Sequence, residues 1–283
     1  LSRIEVEQRR VAGEVALELL ACPVDGTPPP LLFVHGAYVG AWCWAEHWLP
    51  WFAAQGYPAY ALSLRGHGRS GGRERLHEFG LAAYADDLLA TAAQLERAPI
   101  LVGHSMGALV VQKALERGID CAATVLVCPV PPFGLLPATF SLAFTRPALF
   151  AEVQSMAAGH RVSLDALQQA MFSGPLDADR LQRVYARMQP ESRRALLDMS
   201  GWGLPQPWRA ARTPTLVLGA ERDALIPAAF AESSARMLGA EYRRLEALGH
   251  AVMLEAGWEA PARAVRDWLD ARLGAADRAA GRC

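Results

Sequence analysis

Ser105 sits in the pentapeptide Gly103-His104-Ser105-Met106-Gly107, between the apolar run Ile100-Leu101-Val102 and a helical pattern from Ala108. A serine hydroxyl is a weak nucleophile until a base takes its proton and a carboxylate orients that base. On a sharp strand-to-helix turn, flanked by glycines that allow close passage of the chain, the hydroxyl projects above the sheet edge. The same turn points the next amide, that of Met106, toward a developing oxyanion at the helix N-terminus. A base and an acid are available in the last third of the chain. Leu248-Gly249-His250-Ala251 follows the last strand signal and puts His250 on a loop just past it. The strand signal Thr215–Gly219 runs into Ala220-Glu221-Arg222-Asp223, which puts Asp223 on the equivalent loop, with Glu221 as the alternative acid. The chain order Ser105, Asp223, His250 is that of parts carried on successive strands of a doubly wound sheet. A second oxyanion donor is expected from Ala37, because Gly36 before it lets the backbone approach a ligand. His35 ends a buried strand, and we read it as a structural hydrogen-bonding residue.

The elements that must hold these groups follow from the spacing of apolar residues. Alternation around Ala12-Gly13 predicts a hairpin or two edge strands over 3–20, and strands follow at Leu31–Val34, Tyr57–Leu64, Pro99–Gly103 and Thr124–Val130. Helices are predicted over 42–55, 81–97 and Ala108–Arg117, and a glycine-rich turn over Arg65–Gly72. Such strand–helix alternation implies a doubly wound, mostly parallel sheet covered on both faces, an α/β fold. From Pro131 to about Pro207 the strands stop, and the segment holds helical stretches rich in Phe, Met and Pro. Alternation then resumes with strands at Thr215–Gly219 and Glu241–Leu245 and helices at Ala228–Leu238 and Pro261–Leu273, before a loose tail, Gly274–Cys283. The expected organisation is therefore a core of residues 1–131 and 208–283 with a helical cap, 132–207, over one edge of the sheet.

Composition narrows the function. The 283 residues are 52% hydrophobic and 20% charged, enough for a sizeable core, and the formal charge of -1 argues against nucleic acid as a partner. Lys113 is the only lysine among 28 Lys and Arg, a bias of composition and not a basic patch. The five cysteines, Cys22, Cys43, Cys121, Cys128 and Cys283, form no CxxC pair and have no His at zinc spacing, so neither a disulfide framework nor a metal site is expected. No apolar run is long enough to span a bilayer, the N-terminal stretch lacks an apolar signal core, and a cytoplasmic protein without stable membrane association is the expectation.

Taken together, the His35-Gly36 turn, the Arg65-Gly66-His67-Gly68-Arg69-Ser70 turn, the elbow at Ser105, Gly219 with Asp223, and Gly249-His250 resemble the α/β-hydrolase superfamily over nearly the whole chain. The resemblance implies eight strands with a helical cap after the sixth. It implies Ser105 as nucleophile, His250 as base, Asp223 as orienting acid and the Ala37 and Met106 amides as oxyanion hole. His67 falls in a turn that is usually structural in this superfamily, and Ser63 stands where many members have Asp. The stretch from His35 to Trp44 is similar to the methylesterase and hydroxynitrile-lyase branch. Lyases of that branch hold cyanide with a lysine near the triad, whereas Lys113 lies late in the helix after the elbow and points away.

These readings converge on a serine hydrolase that forms an acyl-enzyme on Ser105 and cleaves a carboxylic ester, or a thioester, lactone or carbon–carbon bond, without a cofactor. Lyase or cofactor-free oxidoreductase chemistry on the same fold is the alternative, and a non-enzymatic receptor is a third. Candidate pocket walls are Tyr38, Trp42, Phe133, Phe140, Phe144 and Met171, with Phe150, Met156 and Phe172, and they favour a small to medium apolar substrate. Arg161, Arg180 and Arg183 could meet a substrate carboxylate or simply be solvated.

Overall fold

The computed structural model describes residues 5–206 and 213–280. The expected boundary between residues 207 and 208, residues 3 and 4 of the predicted hairpin, and residues 281–283 of the predicted tail, with Cys283, lie outside them. In chain order the strands are β1 (Glu7–Val11), β2 (Leu17–Cys22), β3 (Leu31–Val34), β4 (Ala59–Ser63), β5 (Ile100–His104), β6 (Ala123–Val127), β7 (Thr215–Ala220) and β8 (Glu241–Leu245). They form one eight-stranded sheet in the order β1-β2-β4-β3-β5-β6-β7-β8. The hairpin β1–β2 is antiparallel, β2 meets β4 antiparallel, and every later pairing is parallel.

The central strands β3, β5 and β6 are buried at every residue, as parallel strands covered on both faces must be. Successive residues feed opposite faces. Phe33 packs with Trp44, Trp48 and Phe52 on one side, while Leu32 and Val34 join Tyr84, Leu88 and Leu109 on the other. The edge strand β8 is exposed at Glu241, Arg243 and Arg244 and buried at Leu245.

Helices α1 (Trp42–Ala45), α2 (Trp48–Ala54), α3 (Leu81–Ala92) and α4 (Met106–Glu116) connect the first strands. Three helical predictions need correction. The tryptophan-rich segment is two helices and not one, broken at His47 (φ -137°). Pro50 explains the break, since it has no N–H to bond Glu46 and its ring would strike that carbonyl in a continuous helix. Helix α3 ends at Ala92, short of residue 97, where the Arg97 guanidinium is drawn to the carbonyls of Gly26 (2.9 Å) and Pro28 (2.8 Å). The last helix, Glu259–Ala280, continues past Leu273, so residues 274–280 are helical and not a loose tail.

Among the described residues between β6 and β7, the regular elements are helices: α5 (Leu136–Thr145), α6 (Pro147–Ala157), α7 (Leu164–Met171), α8 (Ala178–Arg187) and α9 (Arg193–Leu197), then a wide turn at Asp198–Trp202. The side chains of Ser163, Asp177 and Ser192 cap α7, α8 and α9 by accepting backbone N–H groups. Buried carboxylates tie this insertion to the sheet domain: Asp198 accepts the Leu81 amide at 3.0 Å, and Glu255 accepts the Ser173 amide at 2.7 Å. The fold closes with α10 (Ala228–Leu238) and α11 (Glu259–Ala280). No helix among the described residues is long and apolar enough to cross a membrane.

Candidate active site

Ser105 ends β5 and starts α4 with φ 53° and ψ -115°, a region that costs a non-glycine residue about 1–3 kcal/mol. Neighbouring strands hold it there. Its N–H donates to Val127 O (3.0 Å), and its carbonyl accepts from Val130 (3.2 Å) and Ala108 (3.1 Å). The flanking glycines are steric requirements: a Cβ at Gly103 would lie 2.5 Å from Gly107 O, and one at Gly107 would lie 2.4 Å from Val34 O.

His250 Nε2 lies 3.1 Å from Ser105 Oγ, and His250 Nδ1 lies 2.7 Å from Asp223 Oδ2. The other carboxylate oxygen of Asp223 accepts the amides of Leu225 (2.9 Å) and Ile226 (2.8 Å), which fixes the acid on the loop after β7. Since Asp223 accepts from Nδ1, the Nε2 lone pair is left facing the serine hydroxyl. Glu221 is not at the site; it faces Arg244 (2.7 Å) and the Ala247 amide (2.9 Å).

Several residues that no sequence pattern singled out immobilise His250. His104 is buried, and burial together with the nearby His250 pushes its pKa well below the usual histidine value. It is therefore neutral, and its Nε2–H donates to His250 O (2.9 Å). Glu255 accepts the Gly249 amide at 2.7 Å, and the Ala251 amide donates to Met171 O at 2.8 Å, so the insertion itself clamps the histidine loop. Cys128 (φ 44°) lies behind Asp223; burial and then the Asp223 charge push its thiol pKa well up, so it remains S–H. Ligand atoms of Cys128, Asp223 and His250 lie within 4.8 Å of one another. The protonated thiol and the Nδ1–Asp223 hydrogen bond account for that grouping as a hydrogen-bond chain.

Among the described residues the amides of Ala37 and Met106 have no backbone acceptor outside the helices and strands. The Ala37 peptide is held from below. His35 Nε2 accepts the Leu64 amide (3.1 Å), so its Nδ1–H donates to Gly36 O (2.7 Å), the carbonyl of the same peptide unit as the Ala37 N–H. Burial first, and then nearby His67, lower the His35 pKa to about 3, which keeps it neutral. The structural reading of His35 agrees with these contacts.

The next residue, Tyr38, has φ 66°, and the insertion grips it from both sides. Its carbonyl accepts from Gln189 N–H (3.0 Å) and its amide donates to Glu191 Oε2 (3.2 Å). Glu191 is fully sequestered and also accepts from His67 Nε2 (3.1 Å), Tyr84 Oη (2.9 Å) and the Ser192 amide (2.7 Å). Burial opposes charge on both partners, yet the opposite charge and hydrogen bonds prevail: the His67 pKa is raised and that of Glu191 lowered. A buried carboxylate–imidazolium pair thus underlies the loop that carries Ala37. Ser63 occupies the place where an acid was expected by resemblance, and the carboxylate there comes from Glu18 on the neighbouring strand, which accepts from Ser63 Oγ at 2.7 Å.

A cavity of about 370 Å³ opens over Ser105 and His250. Its walls include Tyr38, Leu142, Phe150, Met156 and Met171, so Tyr38 and Met171 stand where the sequence suggested. The structure places five other expected wall residues elsewhere. Phe140 and Phe144 are 62% and 86% exposed, on the outer face of α5, whose inner face presents Ala138, Thr139 and Leu142 to the cavity. Phe133 packs on Phe230, with ring centroids 6.2 Å apart, and Trp42 is buried in the core beneath Arg187. Phe172 is likewise core. Arg180 pairs with Glu46 (3.3 Å) and donates to Leu254 O (2.8 Å), and Lys113 pairs with Glu116 (3.1 Å), away from the cavity.

A model of the Alpha/beta hydrolase family matches residues 31–268. A non-heme chloroperoxidase from Streptomyces lividans is 35% identical over 113 residues, a match that spans 39% of this chain and 39% of that protein. The fold is similar to that of an aryl-esterase candidate from Burkholderia cenocepacia (TM-score 0.74, 24% identity, 95% of this chain and 100% of the other). It is also similar to a thermophilic esterase from Thermogutta terrifontis (TM-score 0.68, 20% identity, 94% and 99% covered) and to a bromoperoxidase from Bacillus anthracis (TM-score 0.66, 19% identity, 88% and 94% covered). With the family model matched across most of the sheet and the whole helical insertion, the chain belongs to the alpha/beta hydrolase family.

Proposed function

We propose that this protein is a serine hydrolase that cleaves a carboxylic ester, or a closely related acyl bond, of a small to medium apolar substrate. The observation that carries the proposal is the hydrogen-bonded line from Ser105 Oγ through His250 to Asp223. In this reading His250 Nε2 takes the serine proton as Oγ attacks the carbonyl carbon. The carbonyl π electrons move to oxygen, and the Ala37 and Met106 N–H groups stabilise that oxyanion. Collapse expels the alcohol, which receives the proton from His250, and leaves an acyl-enzyme. Water, deprotonated by His250, then releases the acid and regenerates the serine. Asp223 orients the imidazole and stabilises its cationic form.

Residues 132–207 act as a cap on this site, and the apolar cavity walls favour an apolar acyl or alcohol group. Thioesters, lactones and carbon–carbon bonds activated by a carbonyl are chemically adjacent substrates. The relative named as a non-heme chloroperoxidase favours one second reading, cofactor-free oxidoreductase chemistry with Ser105 and His250 as proton shuttles. A panel of p-nitrophenyl esters from acetate to palmitate tests the proposal on wild type and Ser105→Ala. Turnover by wild type, lost by about a thousandfold or more in Ser105→Ala, is expected. Equal turnover by both proteins would overturn it.

A further inference from the structure

A second cavity, of about 330 Å³, adjoins the first, and Tyr38, Met156, Val162 and Met188 line both. Its chemistry is different. The Ser105 cavity is walled mostly by Leu, Val, Met and Ala, and among the described residues its one carboxylate, Glu152, accepts the Ser163 amide at 3.2 Å. Among the described residues the second cavity has no carboxylate in its lining, which includes Arg161 and His160.

Arg161 is held ready for a ligand. Its guanidinium carbon stacks 4.3 Å from the centroid of the Tyr185 ring, and its Nη2 makes only a long 3.4 Å contact with Tyr185 O. The ring is itself fixed, because Tyr185 Oη donates to Val162 O at 2.8 Å. Among the described residues no carboxylate pairs with Arg161, whereas other arginines of the insertion are engaged: Arg180 with Glu46 (3.3 Å) and Arg194 with Asp198 (3.0 Å). His160 Nδ1 faces Ser155 O at 3.3 Å, which turns Nε2 away from that contact. A guanidinium stacked on a fixed aromatic ring has its planar face covered and its N–H edge free, the edge that binds carboxylate or phosphate oxygens in bidentate fashion. The two cavities share lining residues, two of them the flexible Met156 and Met188, and Tyr38, which lines both, directly follows Ala37 in the chain.

We propose that the substrate is an ester with an apolar group on one side of the scissile bond and an anionic oxygen group, carboxylate or phosphate, on the other, the anion being held by Arg161. The proposal rests on the serine-hydrolase reading for its turnover, but its binding step does not need it. Three butyrate esters test it: phenyl butyrate, its 3-carboxy derivative and its 3-phosphonooxy derivative. A charged hydrogen-bonding pair of the usual strength makes the anionic ester about tenfold to a hundredfold better in kcat/KM than the neutral one. Arg161→Ala brings that ratio to about one, chiefly through KM. Arg161 is exposed, so the variant keeps its fold. Arg183→Ala, which removes the same charge from the same insertion, keeps the wild-type ratio. The rank of the carboxylate and phosphate esters identifies the anion. Calorimetry of Ser105→Ala with 3-hydroxybenzoate reads the subsite without catalysis. Binding that disappears in Ser105→Ala/Arg161→Ala upholds the subsite even if no ester is turned over, in which case the hydrolase reading alone fails. A ratio near one in wild type, or the same ratio in wild type and Arg161→Ala, overturns the proposal.

Discussion

Removal of the Glu191 carboxylate tests whether the insertion holds the loop that carries Ala37. In Glu191→Ala the imidazole of His67, the Tyr84 hydroxyl and the amides of Tyr38 and Ser192 all lose their acceptor inside the protein. Breaking a buried ion pair by deleting one partner costs about 3–5 kcal/mol. Glu191→Gln keeps one carbonyl oxygen but loses the charge, and about 1–3 kcal/mol is expected for the bonds it cannot make. The pH dependence has a definite sign. His67 has a raised pKa in the fold, so its contribution is full below its ordinary value of 6.5 and fades as pH rises through the folded value. Glu191 has a lowered pKa, so its contribution is full above its ordinary 4.5 and fades as pH falls through the folded value. The stability gap between wild type and Glu191→Gln is therefore widest between about pH 4.5 and 6.5 and narrows at pH 9. Urea denaturation at pH 5.5 and 9 measures it. Tyr38, released from its strained conformation, also shifts the Ala37 amide, so kcat on a p-nitrophenyl ester falls about tenfold or more in Glu191→Gln while KM changes little. A pH-independent gap together with an unchanged kcat would refute the coupling of this ion pair to the site.

Three further outcomes follow from the geometry. Asp223→Asn keeps the Leu225 and Ile226 bonds but presents a donor to His250, so kcat falls by about 10⁴, whereas Glu221→Gln stays within about twofold; steady-state kinetics separate the two acids. Gly107→Ala drives a methyl group to 2.4 Å from Val34 O and 2.6 Å from His35 O, both backbone atoms, and lowers the melting temperature by many degrees or prevents folding, as thermal denaturation would report. Ser105→Gly relieves the φ 53° strain and raises stability by about 1 kcal/mol in urea denaturation while turnover is lost.

The parts of this protein that repeat with a period or sit at a chemically marked turn were legible in the sequence. The buried runs Leu31–Val34 and Ile100–Val102 announced parallel strands because both faces of such strands need apolar residues. Ser105, Asp223 and His250 could be grouped because each follows a strand signal, and the structure brings their side chains within hydrogen-bond distance. Pocket walls were another matter. Counting aromatics in the insertion gave Phe140 and Phe144, four residues apart on the outer face of α5, while the inner face uses Leu142 and Thr139. Which face turns inward is decided by packing against the sheet domain. Glu191, Glu255 and Cys128 were invisible for a similar reason: each acts on a residue distant in sequence, with no local motif to mark it. His104 lay inside the motif itself, yet its use, a bond to His250 O, depends on a contact across the sheet edge.

The proposed reaction requires that Ser105 form a covalent acyl intermediate. Mass spectrometry of the intact protein after reaction with a fluorophosphonate ester, followed by peptide mapping, tests it most directly. One adduct per chain is expected, located on the peptide that contains Ser105 and absent from Ser105→Ala. Ester turnover by a protein that takes up no adduct, or an adduct that persists in Ser105→Ala, would contradict it.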